Sequence, residues 1–122
     1  SNNIDLPIIL HAKKVYKNIY VFGRKLPKSD KLGIHKRVEE YSLRLIELGI
    51  ESALRPKSEK LEYLKALRLK TETLKHIIRS EYELKILSEK QYLLIAEDLQ
   101  NISMMANGWI KSLSTQTPPK AG

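Results

Sequence analysis

Cysteine is absent from this 122-residue chain, and glycine and proline are scarce, at five each. Without cysteine there is no disulfide and no thiolate-bound metal, which suits a reducing compartment, so the expected location is cytoplasmic. So few glycines and prolines favour long uninterrupted elements over many turns. No apolar run approaches the ~20 residues that cross a bilayer. No secretory signal is visible, although the chain starts at Ser1 rather than Met.

Catalytic constellations are missing as well. His11, His35 and His76 fall on three different predicted helices, and no pair has the four-residue spacing of a helical metal site. Glu72 and His76 are four apart, which reads as a surface pair rather than a ligand set. No Glu-x-x-His pair suggests a di-iron bundle. Gly23, Gly33, Gly49 and Gly108 stand alone, so there is no phosphate-cradling glycine loop, and no nucleophile elbow occurs. The chain therefore reads as a binding protein and not an enzyme, with no cofactor and no metal.

What is present is amphipathic helix. The organising stretch is Ser88–Leu113, opened by Ser88 and Gln91 at capping-box spacing. Apolar residues recur at Tyr92, Ile95, Ala96, Leu99, Ile102, Ala106, Trp109, Ile110 and Leu113, a single stripe on a helix roughly 35–40 Å long. Such a stripe needs cover from the rest of the chain. A first helix is expected from Pro7 to near Gly23, with its stripe at Ile8, Ala12, Val15, Tyr16, Ile19, Tyr20 and Phe22. A second follows Leu26–Asp30, capped by Ser29 or Asp30, with Ile34, Val38, Tyr41, Leu45, Leu48 and Ser52 inward. Leu32, Leu43, Ile46 and Ile50 lie off that stripe, through burial between two neighbouring helices or contact with another subunit. A third helix follows Arg55-Pro56, capped by Ser58, with Leu61, Leu64, Leu67, Thr71, Leu74, Ile77 and Ile78 inward. Ser80–Leu87 links it to the last.

Four helices and short links predict an all-α, up-down-up-down antiparallel four-helix bundle over residues 7–113. Residues 1–6 are expected to be flexible and the polar, proline-containing tail 114–122 disordered. One domain is the natural size.

The net charge is +8, and the positive excess is unevenly placed. Residues 7–54 hold ten Lys/Arg against five Asp/Glu and residues 57–79 seven against three, whereas residues 81–112 hold three against five. A positive surface favours nucleic acid, anionic membrane or an acidic protein. Membrane is disfavoured because the apolar stripes are needed for one another. Lys13, Lys17 and Arg24 line up beside Tyr20, as a solvated face next to a core tyrosine or as a phosphate-contacting stripe with a stacking ring. Lys65, Arg68, Lys75 and Arg79, interrupted by Glu72, form the most concentrated basic row. Lys28, Arg37 and Arg44 complete the candidate nucleic-acid contacts; Arg37 and Arg44 share a mixed-charge side with Glu40, Glu47 and Glu51, which reads as solvated or pairing rather than catalytic.

Three features together carry a family resemblance: Leu26-Pro27-Lys28 after the first helix, the leucine-rich run Lys60–Leu67, and Ile102-Ser-Met-Met-Ala-Asn-Gly-Trp-Ile110 in the last helix. Over about residues 7–113 the chain resembles the accessory variability determinant (Avd) proteins of diversity-generating retroelements. These belong to a wider group of small four-helix-bundle proteins that includes the products of 23S ribosomal RNA intervening sequences. The resemblance implies a basic homopentameric barrel without an active site. It would bind DNA or RNA with little sequence preference, associate with a reverse transcriptase, and support mutagenic cDNA synthesis. The competing expectations are a bundle of the ribosomal intervening-sequence type and a scaffold for an acidic protein partner.

Overall fold

The computed structural model describes residues 6–116. They form five helices and no strand: α1 (Pro7–Gly23), α2 (Lys28–Leu32), α3 (Ile34–Leu54), α4 (Lys57–Glu83) and α5 (Glu89–Gln116). The four long helices close a ring, with α1 against α3 and α5, and α4 against α3 and α5, while the short α2 rests on α3. Successive contacts run in opposite directions. Arg68 meets Asn107, Glu72 meets Ser103 and Lys75 meets Gln100, so α4 and α5 are antiparallel. His35 at the start of α3 meets Ile19 near the end of α1 and Glu81 near the end of α4, which gives α3 the opposite sense to both. The long helices thus run up, down, up, down.

The expected stripes meet inside this ring. Val15, Ile19, Leu45, Leu64, Leu67, Leu74, Ile78, Ile95, Leu99 and Ile102 are fully removed from solvent. Each such side chain contributes about 1.5–3 kcal/mol relative to an exposed one. Ile9, off the predicted stripe of the first helix, is also fully buried. On α3, Ile46 and Ile50 pack against the core, so burial accounts for them, whereas Leu43 and Leu54, and Leu32 at the end of α2, remain exposed.

The helix ends differ from expectation in several places. The second predicted helix is broken at Gly33 into α2 and α3, so neither Ser29 nor Asp30 caps α3. A Cβ at Gly33 would stand 2.6 Å from the Ser29 carbonyl oxygen, which is why a glycine occupies the break. Pro56, not Ser58, precedes α4 at its N-cap, and α4 continues through Ser80 and Glu81 to Glu83. Leu6, placed in the flexible terminus, packs against the core, and α5 extends past Leu113 to Gln116. Residues 1–5 and 117–122 lie outside the described residues.

The capping box forms as expected. Gln91 N–H donates to Ser88 Oγ at 3.1 Å, and Ser88 N–H donates to Gln91 Oε1 at 3.0 Å. Just upstream, Lys85 takes a left-handed conformation with φ 64°. Ile86 N–H reaches the Glu81 carbonyl and Lys85 N–H the Tyr82 carbonyl, the paired bonds that close a helix C-terminus.

Two side-chain clamps fix the ends of the bundle. At one end, His35 and Glu81 are both fully buried. The ring Nδ1 lies 2.8 Å from Glu81 Oε2 and Nε2 lies 2.8 Å from the Ile19 carbonyl oxygen, so one side chain ties α1, α3 and α4 together. Burial alone would lower the His35 pKa. The Glu81 hydrogen bond, the Ile19 carbonyl and the charges of Glu81 and Glu39 outweigh it and hold the imidazole above its ordinary value. The ring occupies the space a side chain at residue 23 would take, since a Cβ on Gly23 would land on the imidazole. At the other end, Lys60 donates to the Ser52 and Ala53 carbonyls at 2.9 and 2.7 Å, satisfying the C-terminal turn of α3. Its ammonium also lies 5.7 Å from the centre of the Trp109 ring on α5.

Candidate nucleic-acid interface

Because α1 turns Ile8, Ala12, Val15 and Ile19 inward, the 3.6-residue period drives Lys13, Lys17, Tyr20 and Arg24 to the outside. Among the described residues, none of these three cations has an ion-pair partner. Lys14, next in the chain, approaches Asp98 at 4.0 Å, and Asp98 accepts from His11 at 2.9 Å. Tyr20 is half exposed and not a core residue, with its ring centre 6.3 Å from that of Tyr16, which is partly covered. The stripe is therefore three unpaired charges beside an accessible aromatic face.

The basic surface continues along the chain. Lys28, on α2, and Arg37, on α3, are exposed and unpaired among the described residues. So are Lys25, Lys31 and Lys36, which sequence periodicity did not single out because they sit in or beside the connection. The signal that finds them is cruder. Residues 13–37 hold nine Lys/Arg (Lys13, Lys14, Lys17, Arg24, Lys25, Lys28, Lys31, Lys36, Arg37) against one acid, Asp30.

The basic row on α4 has a different setting. Lys65 is exposed and unpaired among the described residues, but its companions reach toward α5 or along α4. Arg68 donates to Asn107 Oδ1 at 3.3 Å, and Lys75 donates to Glu72 at 3.0 Å and Gln100 at 2.7 Å. Ser103 donates to the same Glu72 oxygen at 2.9 Å. The Lys75 hydrogen bond is the largest influence and, helped by the Ser103 hydrogen bond and the charges of Lys75 and His76, holds the Glu72 carboxyl below its usual range against the opposing effect of burial. Arg79 lies 3.6 Å from Glu83 and about 5.7–5.8 Å from the ring centres of Tyr82 and Tyr92, which stack at 5.0 Å. On α3, Arg44 pairs with Glu51 at 2.9 Å and Glu47 at 3.5 Å. Exposed pairs of this kind contribute only about 0–1 kcal/mol. Phosphate could exchange for them at small cost, but the local charge is already partly balanced.

Among the described residues no cluster of His, Asp or Glu has the makings of a metal site, and no helix is long and apolar enough to cross a membrane. A family model described as bAvd-like matches residues 8–113. No curated protein and no solved structure gives a significant match.

Proposed function

The chain belongs to the bAvd-like family, and from that premise we propose that it is a non-catalytic accessory protein of a diversity-generating retroelement, acting as a nucleic-acid-binding partner of the reverse transcriptase. The observation that carries the binding reading is the strip from Lys13 to Arg37. That stretch holds nine cations against one acid, and among the described residues only Lys14 of the nine lies within 4.0 Å of a carboxylate, that of Asp98. In this reading the lysines and arginines contact phosphates, which carry no sequence information, so binding is strong at low salt and tolerant of sequence. The α1 stripe and the connection to α3 form the primary contact, with the α4 row adding to it. Assembly as a homopentameric barrel is part of the same proposal. Leu43 and Leu54, exposed on α3, supply apolar surface for a subunit contact, and repetition of the basic strip around a ring would multiply its effect.

Two measurements test this. Light scattering is expected to give a mass near five times 14.1 kDa at low and high salt. Binding to a duplex of arbitrary sequence is expected to weaken linearly on a log–log salt plot. Lys13→Glu with Lys17→Glu should flatten that slope by about two units and lower affinity more than Arg68→Glu with Arg79→Glu. A monomer would remove the barrel. Absence of any retardation at low salt would overturn the nucleic-acid reading and favour an acidic protein partner.

A further inference from the structure

Where the end of α1 meets the start of α5, Val21, Phe22, Arg24, Lys25 and Gln91 line a concavity of about 590 Å3. That volume lies within the usual range for small-molecule sites. Its chemistry is divided. Val21 is exposed and Phe22 half-buried, giving an apolar side, while a guanidinium, an ammonium and an amide supply the polar side. Gln91 uses only its oxygen in the capping box, which leaves both amide hydrogens to donate into the concavity. Among the described residues neither Arg24 nor Lys25 meets a carboxylate. Gln91 also sits in the first turn of α5, where the helix field is positive. Glu89 of the same turn is directed toward α4, 3.4 Å from the Tyr82 hydroxyl.

Two cations beyond the end of α1 would by themselves be explained by the carbonyls exposed there. That explanation does not cover the amide from a second helix or the aromatic wall. We infer that this concavity binds the terminal phosphomonoester of a nucleotide, that is, the end of a nucleic-acid strand or a free mononucleotide. A phosphomonoester carries about −1.5 to −2 charge at neutral pH, matching the two cations, where a carboxylate would match one. Its oxygens accept from all three donors, and Phe22 with Val21 offers the apolar face on which a base rests. An internal phosphodiester, with a single charge and chain on both sides, fills the site less well. The inference rests on the nucleic-acid reading above and specifies where a strand end is held.

The test compares one single-stranded oligonucleotide in three forms, with a 5′-phosphate, a 3′-phosphate or hydroxyls at both ends, by fluorescence anisotropy. A phosphorylated form is expected to bind roughly tenfold tighter than the hydroxyl form, the gain typical of charge-assisted hydrogen bonds. Gln91→Glu keeps a capping-box residue while placing a carboxylate in the site. Val21→Glu does the same from α1 at an exposed position. Each should abolish the preference with helicity unchanged by circular dichroism. A nucleoside monophosphate that competes away only the preference assigns the site to free nucleotides as well as strand ends. One that leaves the preference intact assigns it to strand ends. Equal affinity for all three strands overturns the inference and leaves the general nucleic-acid reading standing. No binding of any strand overturns both. A preference that survives both variants places phosphate recognition elsewhere and overturns the inference.

Discussion

His35 Nδ1 lies 2.8 Å from Glu81 Oε2 across a gap of 46 residues in sequence, and both side chains are fully buried. Each ring nitrogen faces an oxygen acceptor, a carboxylate on one side and the Ile19 carbonyl on the other, so both nitrogens are satisfied when the ring carries both protons, while Glu81 Oε1 has no hydrogen-bond partner among the described residues. Removing one partner strands the other. His35→Leu or Glu81→Met should each cost about 3–5 kcal/mol, whereas the double variant should be more stable than either single one. Urea denaturation of the three variants measures this, and strictly additive losses would show the pair to be uncoupled.

The same pair gives stability a pH dependence of defined sign. The folded pKa of His35 is raised, so the protonated ring's contribution is complete below its unfolded value of about 6.5 and is lost as pH rises through the folded value. The parent should therefore lose thermal stability as pH is raised above about 6.5, and the His35→Leu/Glu81→Met double variant should lose less. Parallel melting curves in the two proteins would refute the assignment.

Gly23 is held by the ring it touches. Alanine there would ordinarily strengthen a helix by about 1 kcal/mol. Against a locked imidazole it should instead destabilise by about 1–3 kcal/mol through overpacking. In a His35→Ala background the sign should reverse, because the obstructing ring is gone. A Gly23→Ala change that destabilises both backgrounds equally would point to some other obstruction.

Lys85 occupies a backbone conformation that costs an L-residue about 1–2 kcal/mol. Lys85→Gly should relieve part of that strain and raise stability by about 0.5–1 kcal/mol, the more flexible unfolded chain offsetting the rest. Thermal denaturation checks it, and a lower midpoint would mean that the lysine side chain makes a compensating contribution.

Lys60 satisfies two carbonyls at the end of α3, so Lys60→Met, which keeps most of the apolar stem, should cost about 1.5–3 kcal/mol. It should also shift the emission of Trp109, the chain's only tryptophan, by removing the ammonium near its ring. A loss of stability without a spectral change would separate the two roles.

The sequence by itself determined the helices, their inward faces and the sign of the surface charge. A stripe repeating every three or four residues can be buried on one side only, and Ser88 with Gln91 marks a helix start through bonds within four residues. Those are local consequences of helical geometry. Short links then left an antiparallel bundle as the simplest way to cover four stripes, and the Lys13–Lys17–Arg24 stripe followed from the same period. Capping at Ser29 and Ser58 failed because Gly33 and Pro56 impose stronger backbone constraints at those breaks. What only the tertiary structure decided is which polar residues act across helices. Nothing near His35 in sequence announces Glu81 or Ile19, nothing near Gly23 announces the ring above it, and Lys60 looks like any solvated lysine. Arg68, Lys75 and Arg79 look as free as Lys13 until α5 brings Asn107, Gln100 and Tyr92 beside them, the last stacked on Tyr82 of α4. Hydrogen bonds and ion pairs depend on distances of about 3 Å between groups far apart in the chain, and no periodic pattern encodes them.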